Sequence, residues 1–140
     1  MPLWQIYHPS NTYTPEDKQN FARDITAYYA RVGLPEFYAV ALFRELPADS
    51  FYVGGKPATA SVRITIDHLA RQLDDPEMRK RMTRSLDILM APYTHDRGLY
   101  LEFNINEVAS DTWMIAGLFP PPIGSDIEQV WAEENKPLPY

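Results

Sequence analysis

The chain has 140 residues, 45% of them hydrophobic and 23% charged, with a net charge of −6 and no cysteine. Its length suits one domain with a real core, and its acidic balance, without any Lys/Arg stripe, argues against a nucleic-acid partner. No run approaches the ~18 apolar residues of a membrane span and no signal-like start is present, so a cytoplasmic protein is expected, without disulfides, thiol chemistry or a Cys-based zinc site.

Pro2 opens a strand-like run to His8, in which Leu3, Gln5 and Tyr7 alternate with Trp4 and Ile6. Proline is an ordinary way to begin an edge strand. After removal of Met1, however, its ring would carry a free secondary amine, and a partly buried amine can act as a base near neutral pH. Thr14-Pro15-Glu16-Asp17 is a helix start: Thr14 caps, Pro15 takes the first helical position, and two acids meet the positive end of the dipole. Phe21, Ile25, Tyr28, Tyr29 and Val32 fall on one helical face, and Gly33 and Pro35 stop the helix. Phe37 to Phe43 reads as a second strand, and Ser50 to Gly55 as a short hairpin whose glycines supply positive φ.

The pattern then recurs. Ser61 to Ile66 alternates like a strand, Asp75-Pro76-Glu77 repeats the helix start, and Met78, Met82, Leu86 and Leu89 continue its apolar face until Pro92. Leu99 to Phe103 reads as the fourth strand, and Asp126 to Asn135 as a helix within a Pro-rich tail. The two cap-Pro-Glu triplets are offset by 61 residues, from position 14 to position 75. This predicts a tandem duplication within a single domain: one βαβ unit over about 2–57, a second over about 58–105, and a tail over 106–140. The fold class expected is α/β (α+β), a four-stranded mixed sheet with two helices on one face. Its other face is expected to hold side chains such as Trp4, Phe43 or Phe103 and to be covered by oligomerisation.

Pro2, the tandem unit of about 60 residues, and the run Glu45-Leu46-Pro47-Ala48-Asp49-Ser50-Phe51-Tyr52-Val53-Gly54-Gly55 together resemble the tautomerase superfamily. The spacing from Glu45 to Gly54-Gly55 looks like 4-oxalocrotonate tautomerase. The tandem layout, with Thr14-Pro15 opening the first helix, looks more like cis-3-chloroacrylic acid dehalogenase, and the likeness covers roughly residues 2 to 122. It implies a cofactor-free homotrimer in which Pro2 is the catalytic amine. It also implies that Arg71, closing Asp67-His68-Leu69-Ala70-Arg71, grips a substrate carboxylate, a task for which the guanidinium fork is well suited.

The chain departs from the dehalogenases at several places. Tyr29 stands where they carry a histidine, Asp74 where they carry a second arginine, Glu102 where a water-activating tyrosine lies, and a position near Ile115 where a glutamate lies. The arginines of 4-oxalocrotonate tautomerase fall at Thr12 and Val40. Hydrolytic dehalogenation is thereby disfavoured, and a monocarboxylate such as an aryl enolpyruvate fits one retained arginine better than a dicarboxylate does.

The resulting expectation is a tautomerase acting on a small 2-oxo or enol carboxylic acid, with Pro2 as base and Glu102 as a second acid in the site. Arg71, Tyr29, Phe51 and Trp113 contact substrate, Asp111 lies nearby, and neither metal nor cofactor takes part. Plainer roles stand beside these: a surface ion pair of Arg71 with Asp74 or Asp75, core packing for Tyr29 and Phe51, and a solvent-facing Glu102. Two alternatives to the tautomerase are a hydratase, dehalogenase-like enzyme or decarboxylase on a small unsaturated acid, and a trimeric binding protein without activity. His8, His68 and His95 are too scattered for a metal site.

Overall fold

The computed structural model describes residues 1–69 and 73–140. Its elements are β1 (Pro2–Pro9), α1 (Pro15–Ala30), β2 (Val40–Leu46), β3 (Tyr52–Val53), β4 (Lys56–Pro57), β5 (Ser61–Leu69), α2 (Pro76–Met90), β6 (Tyr100–Val108) and α3 (Asp126–Glu134). The main sheet runs β2-β1-β5-β6. β1 pairs parallel with β2 across α1, β5 pairs parallel with β6 across α2, and β1 meets β5 antiparallel in the centre. The two βαβ units are therefore related by a pseudo-two-fold axis between the central strands, where Gln5 faces Thr65.

Strand alternation decides which side is dry. Trp4, Ile6, Val62, Ile64 and Ile66 are buried at even positions and join Phe21 and Ile25 of α1 and Leu86 and Met90 of α2 in one core. Phe43 and Phe103 pack against the same core. The expectation that Trp4, Phe43 and Phe103 would line the opposite face is thus corrected. They share the helix-covered face because register pairs Ile6 with Phe43 and Ile64, and Ile64 with Phe103. The other face carries Gln5, Tyr7, Arg63, Thr65, Asp67, Glu102, Asn104 and Asn106, with Val40, Leu42 and Tyr100 exposed among them. On this face Arg63 donates to Asn104 Oδ1 at 2.5 Å and Asn106 donates to Asp67 Oδ1 at 3.0 Å.

Both helix starts form as the caps dictate. Thr14 Oγ1 accepts from the Asp17 N–H at 3.1 Å, and Asp17 accepts from the Thr14 N–H at 3.0 Å, completing a capping box. Asp75 accepts from the Glu77 N–H at 2.9 Å. In the hairpin, Gly54 and Gly55 both take positive φ, 58° and 78°, closing the two-residue turn between Val53 and Lys56.

The predicted Phe37–Phe43 strand is displaced by three residues, to Val40–Leu46. Residues 36–38 form a 3₁₀ turn, and β2 starts only at Val40. The cause is tertiary. The Phe37 N–H donates to Asn135 Oδ1 at 3.0 Å, and the rings of Phe37 and Tyr38 lie 6.0 and 6.4 Å from that of Trp131. Trp131, fully buried on α3, thereby fastens the tail to its own chain. β6 also runs five residues beyond Phe103, to Val108.

Arg97 reaches from the turn after α2 to Asp17 at 3.1 Å and ties the second unit to the start of α1. Its hydrogen bond, with that from the Thr14 backbone, holds the Asp17 carboxyl down at about 2, against an ordinary 3.8. A depressed carboxyl stabilises the fold above the ordinary value and loses that contribution as pH falls through the folded one. Asp17→Asn should therefore cost about 0.5–1 kcal/mol at pH 7. The gap to the parent should close between pH 4 and pH 2 in urea titrations. A gap independent of pH would assign the effect to the cap alone.

Candidate functional site

Pro2 is buried at the first position of β1, on the helix-covered side. It lies on the wall of a 440 Å³ cavity that opens between the end of α1 and the start of α2. Tyr28, Tyr29, Val32 and Leu34 contribute from the α1 side, His68 and Leu69 from the end of β5, and Met78, Arg81, Met82 and Ser85 from α2. Met1 also lines it, buried, and its carbonyl accepts the Leu69 N–H at 3.3 Å.

The antiparallel register of the central strands puts His68 directly opposite Pro2. Cβ atoms of such pairs lie about 5 Å apart. Tyr29 Oη is 2.6 Å from His68 Nε2 and accepts the Trp4 indole N–H at 3.1 Å. Trp4 is wholly buried, so the chain Trp4–Tyr29–His68 holds a hydroxyl and an imidazole against the Pro2 wall. A second polar pair, Tyr28 Oη and Ser85 Oγ at 2.6 Å, sits farther along the cavity. Ser85 Oγ also donates its only hydrogen to the Met82 carbonyl at 2.7 Å. The Tyr28 hydroxyl is therefore the donor in that pair.

The predicted site residues separate into groups within one chain. Pro2 and Tyr29 share the cavity. Glu102 and Phe51 share a different depression, with Tyr52, Ser61, Arg63 and Tyr100, near the start of β5. Because β5 runs antiparallel to β1, that depression lies at the opposite end of the central strands. Glu102 pairs in register with Arg63, which faces Tyr7, five residues along β1 from Pro2, or about 17 Å of strand. Trp113 follows β6 and packs half-buried against the core, and Asp111 is exposed. Arg71 lies outside the described residues.

His68 was missed as a site residue, although the signal was present. Positions 62, 64, 66 and 68 continue one alternation, so His68 belongs to the helix-covered face where the strand leaves the core. The other histidines lie elsewhere. His8 is buried between Tyr13 and Phe43, and His95 stands 3.9 Å from Asp87. Among the described residues no group of three or more His, Asp or Glu side chains is placed to hold a metal ion, and no helix is long and apolar enough to cross a membrane.

Among solved structures, native RhCC from Rhodococcus jostii RHA1 is 42% identical, with 99% of each chain covered and a TM-score of 0.94. A probable enzyme from the thermophilic fungus Aspergillus fumigatus is 39% identical, covering 100% of this chain and 98% of that one, with a TM-score of 0.93. A fused 4-OT solved as an asymmetric trimer is 20% identical, covers 88% of this chain and 99% of its own, and scores 0.69, a likeness of fold. No curated protein matches. The family model whose description reads "Putative oxalocrotonate tautomerase enzyme" matches residues 1–136. A buried proline opening a duplicated βαβ sheet is thus accompanied by a match over nearly the whole chain, and the protein belongs to the tautomerase superfamily.

Proposed function

We propose that the chain, once Met1 is removed, is a cofactor-independent tautomerase of small 2-oxo or enol carboxylic acids, with Pro2 as the general base. The observation that carries this reading is the burial of Pro2 on an apolar cavity wall, opposite His68 and beside the Tyr29 hydroxyl. A free α-amine has an ordinary pKa of ~7.7–8.0, and an apolar wall disfavours its charged form. The neutral amine takes a proton from the enol oxygen and returns it to the carbon; in the opposite direction it takes the carbon-bound proton and returns it to oxygen. Arg71 holds the substrate carboxylate in this scheme, and Tyr29 donates to the oxygen on which charge builds.

Water addition is the weaker reading, because Glu102 stands on the opposite face of the sheet, in another depression. Glu102, Phe51 and Trp113 would reach a Pro2 cavity only from a second copy of the chain. A homotrimer is consistent with the trimeric fused 4-OT of the same fold and with the exposed Val40, Leu42 and Tyr100 on the uncovered sheet face. The assignment to the cytoplasm belongs to the same proposal.

The test is the rate at which the processed chain converts phenylenolpyruvate to its keto form, compared with the same chain carrying Pro2→Ala. A companion variant isolates the polar pair. His68→Ala should lower kcat about tenfold, the loss of one hydrogen-bonded partner, with little change in KM. Equal losses in kcat and stability would reduce His68 to a packing residue.

A further inference from the structure

We propose that the Tyr28–Ser85 pair selects acids whose apolar body ends in a hydrogen-bond donor, such as a phenolic hydroxyl, because the pair presents oxygen lone pairs to the Pro2 cavity and no free hydrogen. The inference deepens the tautomerase reading and rests on it for the reaction. What it describes is recognition at the end of the substrate that does not react.

Among the described residues, five side chains lining the cavity carry nitrogen or oxygen: Tyr28, Tyr29, His68, Arg81 and Ser85. Tyr29 and His68 bond to each other on the Pro2 side, and Arg81 is exposed on α2. Tyr28 and Ser85 instead meet at 2.6 Å between the end of α1 and the third turn of α2. Ser85 lies seven residues beyond Met78, about 10 Å farther along that helix.

Both hydrogens of the pair are committed. Ser85 gives its own to the Met82 carbonyl at 2.7 Å, which leaves Tyr28 as donor to Ser85. The bonds thus run one way, from Tyr28 through Ser85 to the Met82 carbonyl, and each polarises the next. The Tyr28 oxygen accepts no hydrogen bond from the described residues, and its own donation makes it the better acceptor.

A ligand hydroxyl or N–H that meets this oxygen extends the chain of bonds by one. A carbonyl, ether or carboxylate oxygen there would face lone pairs with no hydrogen between, unless the Tyr28–Ser85 bond broke. The pair therefore also sets direction: the carboxylate of a bound acid turns toward Pro2, and the donor lies between the helices. Val32, Met78 and Met82 line the same cavity and suit the apolar body.

The experiment titrates unreactive probes calorimetrically into the processed full-length chain: cinnamate, 3- and 4-hydroxycinnamate, and the methyl ether of each. One hydroxycinnamate should bind about three- to tenfold more tightly than cinnamate, the gain of one hydrogen bond. Its methyl ether should bind more weakly than cinnamate. Tyr28→Phe should remove the gain. Ser85→Ala frees the Tyr28 hydrogen, so the ether should recover to at least the affinity of cinnamate, a reversal that a packing role would not produce. The proposal is overturned if neither hydroxycinnamate exceeds cinnamate, if the ethers match the hydroxyl acids, if the gain survives Tyr28→Phe, or if Ser85→Ala leaves the ether penalised. Processed Pro2→Ala separates the two readings. Unchanged turnover of phenylenolpyruvate with the hydroxyl preference intact would end the catalytic reading alone, and lost turnover in a chain whose parent shows no such preference would end this one alone.

Discussion

Pro2→Ala is expected to lower kcat/KM for phenylenolpyruvate by about 10²–10⁴, the contribution of a positioned general base. Alanine would still present an α-amine after removal of Met1, but a primary one on a freely rotating bond. The ring of proline fixes the nitrogen relative to the strand, and β1 holds that ring against the cavity wall from its first residue. Protein retaining Met1 should be at least as inactive, because an amide nitrogen has no basic lone pair. In that form Met1 also occupies part of the cavity wall and is only 5% exposed. Mass spectrometry of each preparation, read against its rate, checks both points. A rate that is the same for processed, unprocessed and Pro2→Ala protein would end the catalytic reading and favour a binding protein.

The second large effect is structural. Phe21 is fully buried, stacks on Tyr93 with centroids 4.3 Å apart, and meets Trp4, Tyr13 and Phe43 edge-on at 6.4, 6.0 and 5.9 Å. One ring thus joins α1 to β1, β2 and the turn after α2. Phe21→Ala should cost about 3–5 kcal/mol, a large share of the about 5–15 kcal/mol typical of a domain. Its urea midpoint should fall accordingly. A cost below about 1 kcal/mol would mean that the surrounding rings close over the vacancy. The same variant loosens the site indirectly, since Trp4 touches Phe21 on one side and donates to Tyr29 on the other.

Most of the fold was legible because it is written locally. Thr14 and Asp75 cap their helices through side chains two or three residues from the groups they satisfy, and the Gly54-Gly55 turn needs only the freedom of its two residues. The repeat made each half a check on the other. What escaped was set by contacts between distant parts of the chain. Phe37 and Tyr38 have strand-forming side chains, and only Trp131 and Asn135, about a hundred residues later, draw them into a turn. Which face Phe43 and Phe103 would occupy depended on register across three pairings, and a shift of one residue would have reversed it.

The candidate site was legible in part for the same reason. Pro2 stood out by position, and Tyr29 by its place late on the apolar face of α1. His68 continues the alternation of Val62, Ile64 and Ile66 and so belongs to the helix-covered face, but its place beside Pro2 depends on pairing across the sheet. Glu102 and Phe51 were placed by resemblance, and within one chain they gather with each other, away from Pro2.

The pseudo-two-fold axis of the sheet relates the start of β1 to the start of β5, but chemistry breaks that equivalence. Ser61 begins its strand in mid-chain, so its nitrogen is acylated for the life of the protein and can never serve as a titrating group. Joining two units in one polypeptide silences one of two geometrically matched ends. Arg63 and Glu102 stand beside that silent end, released from any duty to keep an amine neutral, and the charges they carry are what such freedom permits.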